Sequence, residues 1–138
     1  MGEQDSVEDS EFVYRRIHRA FLDPGLPVAV RREAFRPSQS DTTGLSVFRA
    51  CFVQPPDTLA NLDPAKAGDY YVARLAVRAL PALGLTVVPE PDPGGPRGHA
   101  VIPELSWQGY QAQKQHWKPI LVELAKLASG DIVHQPNP

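Results

Sequence analysis

DYYVARLAVRALPALG, residues 69–84, is the stretch whose reading decides the fold. As a helix it puts Val72, Leu75, Ala76, Ala79, Leu80 and Leu83 on one stripe, recurring at helical intervals. Arg74 and Arg78 fall on the opposite side, Asp69 can cap the start and Gly84 can follow the end. Pro81 would kink the last turn. As a strand, YYVARLAV offers aromatic and β-branched residues suited to a pleated surface. The periodicity favours the helix, so a helix is expected near 70–83, with the strand as its competitor.

Outward from this stretch the chain reads mostly as strand and turn. LSVFRACFV (45–53) is apolar on both alternating faces, which predicts a central strand covered on both sides. The polar run FRPSQSDTTG ahead of it contains turn formers and ends in a permissive glycine. EFVYRRIH (11–18) reads as a strand with Phe12, Tyr14, Arg16 and His18 on one face. DPG (23–25) signals a turn, and VAVRREAF (28–35) fits either a short strand or a helical turn. LTVV (85–88) and HAVIPEL (99–105) are short strands around a proline- and glycine-rich loop. From Trp107, the residues Tyr110, Trp117, Leu121, Leu124 and Ala128 form a helical stripe capped by Ser106. Pro119 is expected to bend or restart that helix. The sum is an α+β protein: a small mixed sheet with a central strand near 45–53, a helix near 70–83 and a C-terminal helix near 107–128. Residues 11–130 are expected to form one domain, residues 1–10 a flexible acidic tail, and 131–138 a loose C-terminal tail.

At 138 residues the chain can build one real core. Its formal charge of −2 lacks the basic surplus of a nucleic-acid binder, so no nucleic-acid partner is expected. Cys51 is the only cysteine, which excludes an internal disulfide; inside an apolar strand it is expected to pack as a small hydrophobe. His18, His99, His116 and His134 are too scattered for a metal site, and no cofactor fingerprint occurs. No apolar run is long enough to span a membrane and the N-terminus lacks a signal-peptide pattern, which predicts a cytoplasmic protein without membrane contact.

The candidate binding residues are His18, Arg36, Ser40, Asp41, Ser46 and His99. Arginine, hydroxyls and turn amides between 36 and 46 can hold an anion, although Ser, Thr and Asp are equally the residues of a capped turn. His99 opens an apolar strand after a loop, where it could exchange protons at a cleft edge or satisfy a backbone carbonyl. His18 closes the first strand beside Arg15, Arg16 and Arg19, as a nucleotide contact or a solvated strand end. Tyr110 and Trp117 are candidate interface anchors whose competing role is core packing. No catalytic residue set can be nominated.

Four ordered blocks, Tyr14–His18, Ala34–Val47, Leu83–Pro93 and His99–Ile102, carry YRRIH, AFRPSQSD..GLSV, LGL.VVPEPDP and HAVI. Together they resemble a family of small bacterial proteins, often actinobacterial, of uncharacterised activity. The resemblance implies a bacterial, cytoplasmic origin and transfers no chemistry. The preferred expectation is a non-catalytic accessory module that binds a larger protein partner. The alternative is a small nucleotide- or NAD-acting enzyme or ligand binder, loosely like ADP-ribosyltransferase folds, using Arg16 or His18, the 36–46 turn and His99.

Overall fold

The computed structural model describes residues 2–25 and 27–136. Its centre is a six-stranded sheet built from β1 (Phe12–His18), β4 (Leu45–Arg49), β5 (Tyr70–Ala76), β6 (Val88–Pro89), β7 (His99–Ile102) and β8 (Ile132–His134), in the order β6-β7-β4-β1-β5-β8. Every pairing in it is antiparallel, where a mixed sheet was expected. A two-stranded hairpin, β2 (Leu22–Asp23) with β3 (Ala29–Val30), reverses the chain after the DPG segment. Among the described residues three α-helices follow: α1 (Pro64–Ala67), α2 (Trp107–Ala112) and α3 (Lys114–Ser129). The α+β architecture agrees with the sequence reading.

The expected helix near 70–83 is instead strand β5, followed by two short 3-10 turns at Val77–Ala79 and Pro81–Leu83. Seven residues of β5 pair with β1, from His18↔Tyr70 to Phe12↔Ala76. That register buries Ala73 and Leu75 on one face and Val72 on the other. A strand covered on both faces is apolar at every phase, so it mimics a helical stripe when read by periodicity alone.

The two faces of the sheet have different covers. Val13, Ile17, Val47, Ala73, Leu75, Ala100 and Ile102 point into the main core beneath α3. Tyr14, Phe48 and Val72 form a smaller cluster capped by Leu59 of the 3-10 turn Pro55–Leu59. α3 contributes Trp117, Leu121, Leu124, Ala125 and Ala128 to the main core, which matches the expected stripe. The break in this helical region lies at Gln113 (φ −142°, ψ 48°), not at Pro119, which sits inside α3. Gln113 leaves the helical basin between α2 and α3, whereas Pro119 lies on the exposed side, where a lost backbone hydrogen bond is taken up by solvent.

Three further expectations change. β4 ends at Arg49, because the chain turns back through Ala50–Phe52, with the Phe52 amide donating to the Arg49 carbonyl at 3.1 Å. Cys51 therefore lies exposed in a turn, its Sγ donating to a Glu11 carboxylate oxygen at 3.4 Å. Within the segment assigned to a loose C-terminal tail, Ile132–His134 forms an edge strand on β5; Asn137 and Pro138 lie outside the described residues.

The segment assigned to a flexible acidic tail lies against Arg49, with Met1 outside the described residues. Arg49 is fully buried and donates from Nε and Nη2 to the two oxygens of Glu11, each at 2.8 Å. Its Nη1 donates to the carbonyls of Asp5 (2.7 Å) and Glu3 (3.2 Å), and its Nη2 to that of Ser6 (3.4 Å). The Glu3 carboxylate in turn accepts from the Gly98 amide at 2.6 Å. A buried guanidinium must be matched by acceptors, and these residues supply them.

Candidate functional site

Segment 36–41 leaves the core as a capped turn. The Asp41 carboxylate accepts from the Ser38 amide (2.7 Å) and the Ser38 hydroxyl (3.2 Å), and Ser38 and Ser40 share a hydroxyl contact at 2.8 Å. The Asp41 carbonyl accepts from the Trp107 amide at 2.8 Å, which ties this turn to the first residue of α2. Ser106 caps α2, its hydroxyl accepting from the Gly109 amide at 3.0 Å. Arg15 fastens the other end: it donates to the Ala34 carbonyl from Nε and Nη2 and to the Ser46 carbonyl from Nη1. Burial pushes this guanidinium down to about 10, against the opposing pull of Asp41.

These ties open a cleft of about 540 Å³ between the turn and the α2–α3 junction. Arg36, Lys114 and Lys118 line it, together with Gln39, Trp107 and Tyr110, and no acidic side chain does so among the described residues. None of the three cations is ion-paired within the described residues. Lys114 and Lys118 are one turn apart at the start of α3, which has no acidic residue in its first turn and no side-chain cap. Like charges at that spacing, set against the positive end of a helix, cost a few tenths of a kcal/mol each, about 0.3–1 kcal/mol in total. An anion held in the cleft relieves both terms.

A second polar group lies on the opposite face of the sheet. The β4–β7 register pairs Phe48 with His99 and Ser46 with Val101, so Ser46 and His99 are diagonal neighbours on one face. His99 Nε2 is 3.1 Å from Ser46 Oγ, and its Nδ1 is 2.7 Å from the Glu90 carbonyl. The ring meets Phe48 edge-on, with centroids 5.5 Å apart.

The sequence-derived candidates therefore divide. Arg36 lines the cleft, and Ser40 and Asp41 serve the turn beside it. Ser46 and His99 meet each other on the far face. His18 joins neither group: its Nδ1 accepts from the Ala20 amide at 3.0 Å and its ring packs edge-on to Tyr70. Tyr110 and Trp117 are 3% and 9% exposed and pack in the main core, although Tyr110 also forms part of the cleft wall. Lys114, Lys118, Trp107 and Glu90 were not singled out from the sequence. The two lysines at i and i+4 without a nearby acid were a visible signal; the approach of Glu90 to His99 depends on the β6–β7 pairing and left none. Among the described residues no group of His, Cys, Asp and Glu could hold a metal ion, and no helix is long and apolar enough to cross a membrane. No protein-family model, curated protein or solved structure matches this chain.

Proposed function

We propose that the protein is an accessory binding module that docks on a larger protein by taking an acidic segment of it into the cleft between the 36–41 turn and the start of α3. One observation carries this reading: Arg36, Lys114 and Lys118 converge on one concavity and none of them is ion-paired among the described residues, the neighbouring Asp41 carboxylate being engaged by the Ser38 amide and hydroxyl. Arginine and lysine offer charge-assisted donors to carboxylates, and Trp107 adds a partly exposed aromatic wall of the kind that anchors interfaces. The turn is held by its own Asp41 cap and by the Asp41–Trp107 bond to α2, so little backbone freedom is lost on binding.

The second reading is a small anionic ligand such as a nucleotide, favoured by the volume of the cleft, which suits a small molecule. Fluorescence anisotropy with a labelled Glu/Asp-rich peptide separates the two. The expected result is saturable binding that weakens with salt, is absent for a Lys-rich peptide of equal length, and falls at least about tenfold for Lys114→Glu with Lys118→Glu. Acidic and basic peptides binding alike, or the double reversal leaving affinity unchanged, would overturn the reading. Tight binding of ATP or NAD at the same residues, with no peptide binding, would install the second one.

A further inference from the structure

The Ser46–His99 pair supports an inference independent of the cleft. A backbone carbonyl can only accept, so the 2.7 Å contact of Nδ1 with the Glu90 carbonyl places the proton of neutral His99 on Nδ1. The lone pair of Nε2 then faces the Ser46 hydroxyl at 3.1 Å, and Ser46 donates. The Glu90 carboxylate also stands 3.8 Å from Nδ1. Hydroxyl, base and orienting acceptor are thus in sequence, as a nucleophile requires. A cation shares the patch: Arg16 lies over the Phe48 ring at 5.1 Å, the same ring His99 packs on. Ser46 is only partly buried and the His99 side chain is 15% exposed, so neither residue is sealed in the core.

We infer that Ser46 is a base-activated nucleophile, with His99 as its general base, and that it accepts acyl groups from small activated esters. Ser46 Oγ bonds to the acyl carbon while its proton moves to His99 Nε2 and the carbonyl electron pair shifts to oxygen, on the side of the patch that carries Arg16. Collapse of that adduct breaks the ester bond, and the leaving alcohol takes the proton from Nε2. Water, deprotonated by the same nitrogen, then releases the acid and restores Ser46.

The test uses the full chain with p-nitrophenyl acetate and with a fluorophosphonate probe, mapping the modified residue by peptide mass spectrometry. The expected result is modification at Ser46, its rate lowered at least about a hundredfold in His99→Gln, which keeps a polar side chain but removes the base. Ser46→Ala should abolish the label. Because His99→Gln is read on Ser46 itself, the experiment decides even if Ser46→Ala fails to fold. Label confined to Cys51 or lysines, no label at all, or equal labelling of Ser46 in His99→Gln would each overturn the inference and reduce the contact to a structural hydrogen bond. None of these results bears on peptide binding in the cleft.

Discussion

Glu11→Gln probes the least expected part of the fold, the buried Arg49 that holds the N-terminal segment. The substitution keeps the shape of the side chain and removes its charge. Arg49 is 0% exposed and presents Nε and Nη2 to the two Glu11 oxygens, each at 2.8 Å. In glutamine one of those oxygens becomes an NH2 group, so a donor faces a donor, and the guanidinium keeps one weaker side-chain acceptor beside the neutral carbonyls of Glu3, Asp5 and Ser6, with no carboxylate to balance its charge. The Glu8 amide, which donates to Glu11 Oε2 at 2.8 Å, faces the same choice of partner. Leaving a buried charge without its partner costs about 3–5 kcal/mol, a large part of the stability of a domain this size. Urea titration should show that loss, and hydrogen exchange should show the Glu8 amide losing protection. Arg49→Met combined with Glu11→Leu should recover much of the global stability, because both charges leave together. It should not restore protection at Glu8, whose acceptor is gone. The pH dependence has a fixed sign. Burial pushes the Glu11 carboxyl up, but its bonds from Arg49, the Glu8 amide and Cys51 outweigh that and hold it below its ordinary value. Its contribution is therefore fully present above the unfolded pKa, about 4.3, and is lost as pH falls through the lower folded value. The gap between wild type and Glu11→Gln should narrow over that acid range. A loss below about 1 kcal/mol with Glu8 still protected would refute the argument that a buried charge anchors this segment.

Two other substitutions test the packing. Leu124→Ala, at a fully buried position of α3, should cost about 2–5 kcal/mol by denaturant titration, and no change would show that this helix face is not core. Gly44→Ala should cost more than about 1 kcal/mol, since Gly44 has φ +149° and a Cβ there would lie 2.7 Å from the Ile102 carbonyl oxygen; an unchanged midpoint would contradict the close approach of β4 and β7.

What could be read from the sequence follows from how local each signal was. α3 was legible because one face of it is buried and the other wet, so Trp117, Leu121, Leu124 and Ala128 keep a clean stripe. β1 was legible by composition, since Phe12, Val13, Tyr14 and Ile17 are aromatic or β-branched and suit a pleated surface. β5 was not, because Val72 meets one core and Ala73 and Leu75 the other, which erases the alternation. The N-terminal segment looked like a tail because its own side chains are polar; its backbone carbonyls hold it, and they have no sequence signature. At the candidate sites, Ser46 and His99 could each be named, but their contact rests on the β4–β7 register. Arg36 was named without its companions Lys114 and Lys118, which lie more than seventy positions away and reach it through the packing of α3 on the 3-10 turn Arg32–Phe35 and the Asp41–Trp107 tie.

Recognition of an acidic segment through the cleft at the start of α3 is the proposed function, and it can be read out residue by residue. The most direct measurement is a titration of the isotopically labelled chain with a Glu/Asp-rich peptide, followed by amide chemical shifts. Saturable shifts are expected to concentrate at Arg36, Gln39, Trp107, Lys114 and Lys118, and to be lost in Lys114→Glu with Lys118→Glu. Shifts absent from these residues, or gathered instead around Ser46 and His99 on the other face of the sheet, would contradict the proposed function.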